Sequence, residues 1–156
     1  MATRSTIALE FADGTVEQVY CHWDGYLEHN GRLLAQHYKD PFKLRDLIDQ
    51  GDLSSLAEEV GVAHPFGHIS SGFTQDEYNQ KFGNMCTFYK RDRGESNTSA
   101  KQFKDFADYV DNFQHEEFAY ILRTDGKWYV KQYSKGFEPL AAAIAAQEAE
   151  QEAADA

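Results

Sequence analysis

The residues best equipped for chemistry lie together near the end of the first apolar stretch of the chain. Residues 20–26 read Tyr-Cys-His-Trp-Asp-Gly-Tyr and combine three aromatic rings, an imidazole, a thiol and a carboxylate. Loops that follow strands often carry binding and catalytic groups, because a rigid scaffold can aim them. In an extended chain His22 and Asp24 share one face and are candidates for an acid-base pair, whereas Cys21 and Trp23 share the other face and are expected to pack.

A structural role for this run is the favoured alternative to catalysis. An imidazole-carboxylate pair still needs a nucleophile, and Cys21 lies on the wrong face of a regular strand. A hydrogen bond between His22 and Asp24 would then only close the strand end. Trp23 and Tyr26 are candidate binding residues, because aromatic side chains are enriched at protein interfaces.

The second candidate is the basic run Arg91-Asp92-Arg93, which follows a predicted strand at residues 85–89. Two guanidinium groups at a strand end could hold a phosphate or a carboxylate, with Asp92 orienting one of them. An internal network of ion pairs explains the same residues and is favoured in an acidic protein. Both interpretations stay open from the sequence alone.

Neither a metal site nor a cofactor is predicted. The six histidines include His64 and His68 in a Gly-rich segment, but no spacing matches a ligand signature. Walker, Rossmann and nucleophile-elbow patterns do not occur. Cys21 and Cys86 do not form the cysteine framework of a secreted protein, so we expect free thiols, although the sequence leaves a disulfide between them open.

Charge and composition indicate a globular protein of the cytoplasm. The chain has 26 acidic and 15 basic residues, a formal net charge of -11, and 14% aromatic residues. Five of the acids and none of the bases lie in residues 138–156. Direct binding of nucleic acid is not expected, because it requires a basic surface. No segment resembles a signal peptide or approaches the roughly 20 apolar residues that span a bilayer, so no membrane association is expected.

Two β-hairpins are predicted, each with an Asp-Gly turn. The first joins residues 5–11 to residues 16–20 through the turn at Asp13, and the second follows a strand at residues 118–122 and turns at Asp125. Aspartate followed by glycine favours such turns, because glycine adopts positive φ without strain.

Short helices are predicted between the hairpins. Asp40, which precedes a proline, starts one that ends at Gly51, and Thr74 starts another. Asp52 is predicted to cap a further helical turn, and Ser99 to cap the clearest amphipathic helix of the chain. The apolar stripe of that last helix, expected in the core, consists of Phe103, Phe106, Tyr109, Val110 and Phe113.

These elements predict an α+β fold. A single antiparallel sheet, built from the two hairpins and the strand 85–89, is packed by several short helices. The strand order is not predicted. Residues 1–137 are expected to form one domain, and residues 138–156 an acidic, Ala/Glu-rich helical tail.

The order of several motifs resembles that of a family of small, uncharacterised proteins encoded by bacteriophages and by prophage regions of bacteria. The resemblance covers nearly the whole body and excludes the tail. It implies a phage setting, in which small acidic accessory proteins often bind host proteins, and it supplies no catalytic residues. Because two of the motifs are the aromatic run and the Arg-Asp-Arg-Gly run, we expect those two to lie close together. The motifs are Thr3-Arg4-Ser5-Thr6-Ile7, Asp13-Gly14-Thr15-Val16, residues 20–26, Asn30-Gly31, residues 51–56, residues 89–95 and Trp128-Tyr129-Val130.

Three functions follow from these observations. The first is a phage-type accessory protein that acts as a protein-binding module on a host protein, through Trp23, Tyr26 and the loop 90–95. The second is a binder of a small ligand or nucleotide, or an enzyme, with the two arginines on an anion and His22 and Asp24 as the acid-base pair. The third is an acidic mimic of nucleic acid, which requires carboxylates in a regular row. The oligomeric state is not predicted.

Overall fold

One sheet carries the candidate residues. The computed structural model describes residues 2–113 and 116–155, with Ser70 described by its backbone alone. The strands of this part of the chain are β1 (Ser5–Glu10), β2 (Val16–Cys21), β3 (Leu53–Ser55), β4 (Thr87–Phe88), β5 (Lys101–Phe103), β6 (Phe118–Leu122), β7 (Trp128–Gln132) and β8 (Glu138–Pro139). They are arranged in the order β4-β3-β2-β1-β6-β7-β8, and β5 pairs with the first half of β2.

The predicted α+β class is confirmed, and the sheet is mostly antiparallel. Both predicted hairpins are present, as β1–β2 and β6–β7. Two pairings between the named strands are parallel, however: β1 pairs with β6, and Cys21 at the end of β2 pairs with Leu53 of β3. The two hairpins thus lie side by side through their first strands, β1 and β6, which run in the same direction. The predicted sheet is therefore present and contains two parallel pairings that the sequence did not indicate.

The two central strands are covered on both faces. Ile7 and Leu9 of β1 face the larger core, whereas Ala8 faces a second core with Ile121 and Tyr109. A strand with both faces covered reads as a continuous apolar run, and β6 (Phe-Ala-Tyr-Ile-Leu) is buried throughout. The sheet therefore forms a rigid frame that positions the loops at its two ends.

Short helices surround this frame. In chain order they are a π-helical turn (Leu27–Gly31), α1 (Arg32–His37), α2 (Pro41–Asp49), α3 (His68–Ser71), α4 (Gln75–Phe82), α5 (Tyr89–Arg93), α6 (Phe106–Asn112) and α7 (Leu140–Asp155). The caps predicted for α2 and α4 are confirmed. Asp40 accepts a hydrogen bond from the N–H of Phe42 (2.9 Å), and Gly51 follows α2 with φ of +86°. Thr74 and Glu77 cap the start of α4 reciprocally.

One predicted helix is absent and another begins later than expected, because residues of both join the sheet. Asp52 caps no helix: its Oδ1 accepts from the backbone N–H of Tyr20 (2.9 Å), and the residues after it form β3. Ser99 is followed by β5, and α6 begins later, where the Asp105 side chain accepts from the N–H of Asp108 (2.8 Å). In both places pairing with β2 outweighs the local helical pattern. Within the predicted stripe, Val110 is 40% exposed and is not a core residue.

The strand predicted at residues 85–89 is shorter than expected. Only Thr87 and Phe88 are in β4, and Tyr89 already begins α5. Arg91-Asp92-Arg93 therefore lies on a helical turn. In a strand Arg91 and Arg93 would share one face, whereas on a helical turn residues two apart point to nearly opposite sides.

The C-terminal residues form the predicted helix, and its first turns contact the body. Residues 138 and 139 pair with β7 as β8, and Leu140 and Ala143 of α7 belong to the larger core. Further along, Arg32 and Glu148 form an exposed ion pair (3.2 Å). None of the described helices combines the length and the apolar character needed to cross a membrane.

Candidate functional site

The two predicted motifs lie on either side of β3. Cys21 at the end of β2 pairs with Leu53, which pairs in turn with Phe88 of β4. Two strand spacings separate the outer positions, which are therefore about 10 Å apart. From there the chain continues on one side as the β2 loop (residues 22–26) and on the other as α5. The two runs are neighbours, as their joint occurrence led us to expect.

A buried asparagine holds the β2 loop. The side-chain amide of Asn30 donates to Ser5 Oγ (3.2 Å), to Cys21 Sγ (3.4 Å) and to the Trp23 carbonyl (3.4 Å). Its backbone N–H donates to the carbonyl of Asp24 (3.2 Å). Asn30 thus connects β1, the end of β2 and Trp23 through its side chain, and Asp24 through its backbone.

The backbone of the β2 loop is strained and tightly packed. Asp24 has φ of +58°, in the left-handed region, which costs about 1–2 kcal/mol for most residues other than glycine. The N–H of Gly25 donates to the Thr3 carbonyl (2.8 Å), and a Cβ at this position would lie 2.7 Å from Ser5 Cβ. The hydroxyl of Tyr120 donates to the Gly25 carbonyl (2.6 Å). Backbone strain that surrounding contacts impose is typical of functional sites.

Three ring side chains extend from the end of β2. The Tyr20 hydroxyl and His22 Nδ1 share a hydrogen bond of 2.7 Å, and the rings of His22 and Trp23 meet edge to face with centroids 4.8 Å apart. Burial, with a smaller effect from Glu116, raises the pKa of Tyr20 to about 12. Trp23 is 44% exposed, contrary to the expectation that it packs with Cys21. The reason is that β2 ends at Cys21, so strand alternation no longer orients Trp23.

The predicted acid-base pair is not assembled. Among the described residues no hydrogen bond joins His22 to Asp24, and the Nδ1 of His22 is bonded to Tyr20 instead. The positive φ of Asp24 breaks the alternation that would have put the two on one face. The Asp24 carboxylate raises the pKa of Tyr26, because a phenolate beside it would be repelled. Burial raises the pKa of Cys21 to about 12, so this thiol is a poor nucleophile.

Arg91 is bound internally. Its Nη1 donates to the carbonyls of Val60 (2.9 Å) and Gly61 (3.2 Å), its Nη2 to the Cys86 carbonyl (2.8 Å), and its Nε to Asp92 Oδ1 (3.1 Å). Its side chain is only 13% exposed. These bonds occupy four of the five N–H donors of a guanidinium, so Arg91 has no pair of donors left for an anion.

Asp92 completes the same network from a fully buried position. Its Oδ1 accepts from the backbone N–H of His64 (3.0 Å) and its Oδ2 from that of Phe88 (2.8 Å), in addition to the bond from Arg91. The pair therefore ties the irregular segment before α3 to the end of β4. The predicted anion site of two convergent arginines is not formed. The alternative interpretation, an internal network of ion pairs, accounts for Arg91 and Asp92.

His64 belongs to this network and was not singled out by the sequence. Its Nδ1 lies 2.7 Å from the Val62 carbonyl, which can only accept, so the proton is on Nδ1. Its Nε2 is 3.3 Å from Thr87 Oγ1, and its ring stacks on Phe82 with centroids 5.1 Å apart. No local pattern could have revealed this, since all partners except Val62 are distant in the chain.

Arg93 faces solvent. Its side chain is 52% exposed, and its guanidinium lies 4.7 Å above the ring of Phe66 and 5.5 Å from that of Tyr89. Its Nε is 2.9 Å from Glu95 Oε2, a contact without the alignment of a hydrogen bond. Arg93 is thus positioned by aromatic rings and keeps donors available.

Strand β3 and the residue before it connect the two motifs. The carbonyl of Ser54 accepts from the N–H of Trp23 (3.0 Å), and two residues earlier the carbonyl of Asp52 accepts from the N–H of Tyr89 (3.2 Å), a residue whose pKa is raised by burial. A continuous series of contacts therefore runs from Trp23 to Arg93. We call this the aromatic surface, and its residues are Tyr20, His22, Trp23, Phe66, Tyr89 and Arg93.

The arrangement has the character of a binding surface. No cavity described for this part of the chain joins His22 or Asp24 to Arg91 or Arg93. Within the described residues no group of three or more His, Cys, Asp or Glu side chains could hold a metal ion. Cys21 and Cys86 are both free and buried, so the disulfide that the sequence left open is absent.

The sequence also missed the largest described cavity, which lies at the other end of β1. Phe42, at the start of α2, is 83% exposed there, and Arg45 lies one turn further along. The buried side of α2 consists of Leu44, Leu47 and Ile48. A phenylalanine outside that stripe is the signal that could have drawn attention to this cavity.

Comparison of the chain with protein-family models, with curated proteins and with solved structures finds no match. The phage-family resemblance stays a prediction from the motifs.

Proposed function

We propose that the protein is a protein-binding module, a phage-type accessory protein that engages a host protein in the host-cell cytoplasm through the aromatic surface. The observation that supports it is Trp23: the side chain is 44% exposed, whereas the β2 loop that carries it is fixed by Asn30, Gly25 and Tyr120. A large aromatic group on a rigid backbone loses little conformational entropy on binding.

The neighbours of Trp23 suit the same role. Tryptophan, tyrosine and arginine are the residues most enriched at the energetic centres of interfaces. Arg93 is already ordered by Phe66 and Tyr89, so its remaining donors can bind a carboxylate or carbonyl of a partner with little further loss of side-chain freedom. Tyr26 lies at the far end of the β2 loop, where it packs against the larger core and its ring centroid is 6.3 Å from that of His29.

The alternatives have less support. In the predicted ligand-binding protein or enzyme Arg91 would bind an anion, but its guanidinium already donates hydrogen bonds to three carbonyls and to Asp92. A nucleic-acid mimic would need unpaired carboxylates in a row. Instead, several acids form ion pairs with bases in different parts of the fold; these are Glu10, Glu59, Asp92, Glu95 and Glu148.

Matched variants test the binding proposal. The purified protein is immobilised and exposed to host-cell lysate beside Trp23→Ala, Arg93→Ala and the control Phe42→Ala, which removes a more exposed aromatic ring at the other end of the sheet. A protein retained by wild type is then purified, and its affinity for each variant is measured by calorimetry. Truncation of a central aromatic residue is expected to weaken binding by about 30-fold or more.

The control separates this surface from the rest of the molecule. We expect Phe42→Ala to bind the purified partner within about twofold of wild type, a free-energy change well below 1 kcal/mol. If Trp23→Ala and Arg93→Ala both retain wild-type affinity for every partner recovered, the aromatic surface is not the binding site. Circular dichroism of each variant establishes that it is folded.

A further inference from the structure

The largest described cavity is a cleft at the end of the sheet opposite to the aromatic surface. It has a volume of about 500 Å³ and lies between the end of β1, the start of α2 and the turn after β6. Binding sites for small molecules commonly measure about 300–1,000 Å³ and are mainly apolar with a few polar groups. The cleft has that size, and its composition follows the same pattern.

The apolar part of the cleft comes from two aromatic rings and their neighbours. Phe11 follows β1 and is partly buried against the larger core, whereas Phe42 stands 83% exposed at the start of α2. Leu9, Ala12 and Pro41 complete this part. Exposure of an aromatic ring to water is unfavourable. A flat apolar ligand between Phe11 and Phe42 would therefore bury apolar surface that is exposed to solvent in the free protein.

One carboxylate lines the cleft, and it is already neutralised. Glu10 accepts from Arg123 Nε and Nη2 (both 3.1 Å) and from the N–H of Thr124 (3.1 Å). Partial burial raises the pKa of Glu10, but the bonds from Arg123 and Thr124 lower it further, so its pKa is below the ordinary value. Glu10 is therefore ionised and paired at neutral pH.

Arg45 is the cation of the cleft that lacks a partner. It forms no ion pair with any described residue, and its guanidinium lies 5.4 Å from the centre of the Phe11 ring. Glu17 experiences its charge without contacting it. With Glu10 offset by Arg123, the lining carries a net charge of +1, in a protein whose formal charge is -11. An arginine beside aromatic rings favours a ligand carboxylate next to an apolar body.

We propose that this cleft binds a small amphipathic organic anion, with a flat apolar body between Phe11 and Phe42 and a carboxylate on Arg45. The open mouth of the cleft admits such a ligand without movement of the sheet. The proposal is independent of the protein-binding function, because the two sites lie at opposite ends of the sheet and share no residue.

The test uses a pair of probes that differ in charge. The binding of 2-naphthoate and of the neutral 2-naphthalenemethanol is measured by calorimetry and by the shifts of backbone amide signals in NMR spectra. We expect naphthoate to bind more tightly, with shifts at Phe11, Phe42 and the turn after β6. The Arg45→Gln variant is expected to lose about tenfold in affinity for naphthoate and to bind the alcohol unchanged.

Matched variants complete the design. Phe42→Ala is expected to weaken both probes, and Arg32→Gln, which removes an exposed arginine elsewhere, is expected to change neither. Trp23→Ala is also expected to bind naphthoate normally, so failure of the protein-binding proposal would leave this one standing. Equal affinities of wild type for the two probes, wild-type affinity of Arg45→Gln for naphthoate, or shifts confined to other parts of the sheet would each overturn the proposal. Because Phe42 and Arg45 are exposed, both variants are expected to fold.

Discussion

Replacing Arg91 by alanine is expected to lower the free energy of unfolding by about 3 kcal/mol. The change removes four hydrogen bonds and leaves the fully buried carboxylate of Asp92 without its cationic partner. Removing one member of a buried ion pair costs about 3–5 kcal/mol. We expect the lower end of this energy range for Arg91→Ala, because Asp92 keeps its hydrogen bonds from two backbone N–H groups and the Arg91 side chain is 13% exposed.

The control is the other arginine of the same helical turn. Arg93 is 52% exposed and its contact with the half-buried Glu95 lacks the alignment of a hydrogen bond, so Arg93→Ala is expected to cost less than about 1 kcal/mol. Arg91→Lys keeps the charge but cannot reach three carbonyls and a carboxylate at once, and it should fall between wild type and Arg91→Ala. The measurement is urea unfolding followed by far-ultraviolet circular dichroism.

The result also distinguishes the two interpretations of the Arg-Asp-Arg run. If Arg91→Ala costs no more than Arg93→Ala, the guanidinium of Arg91 is not a structural group and the reasoning is refuted. A second check is the double variant Arg91→Ala/Asp92→Ala. Because the two residues share one network, its destabilisation should be smaller than the sum of the single changes by at least about 0.5 kcal/mol. Additivity would show that the pair is not coupled.

Three further predictions address other parts of the structure. Asp24→Gly should be more stable to urea than Asp24→Ala by about 1 kcal/mol, because only glycine adopts positive φ without strain; equal stabilities would contradict the observed backbone. Between about pH 5 and pH 3, the free energy of unfolding should fall more steeply for wild type than for Glu10→Gln. The pKa of Glu10 is lower in the folded than in the unfolded protein, so its ionised form stabilises the fold above the unfolded pKa, and this contribution is lost as the pH falls through the folded pKa. Parallel pH dependences of the two proteins would exclude a stabilising Glu10–Arg123 pair. Cys21 and Cys86 should react with a thiol reagent at pH 8 at least about 100-fold more slowly in the native protein than in urea, because burial raises both pKa values; rapid native labelling would show that the thiols are accessible.

Features set by adjacent residues could be predicted from the sequence. The two Asp-Gly turns, the caps at Asp40 and Thr74 and the glycine at the end of α2 depend on backbone geometry within a few positions. These local signals also sufficed for the α+β class. They did not fix the order of the strands, which depends on contacts between distant segments.

Features set by distant partners could not be predicted. The residues of β3 and β5 have sequences compatible with a helix and become strands only because β2 offers free hydrogen-bonding groups. Likewise, Arg91 and Arg93 look equivalent in the sequence. Arg91 has a structural role because three backbone carbonyls lie within reach of its guanidinium, whereas the side chain of Arg93 is exposed. The two predicted runs are therefore neighbours in the fold, but the contacts of each residue within them depend on distant segments of the chain.

The parallel contact between β1 and β6 has a consequence for synthesis on the ribosome. Ser5 of β1 pairs with Phe118 of β6, so the central strand β1 lacks one neighbour until β6 has emerged. During that time the apolar edge of β1 in the first hairpin is unpaired, and unpaired strand edges promote aggregation. Contacts of such long range also slow folding. The nascent chain therefore has its greatest need of chaperone protection before the second hairpin is made.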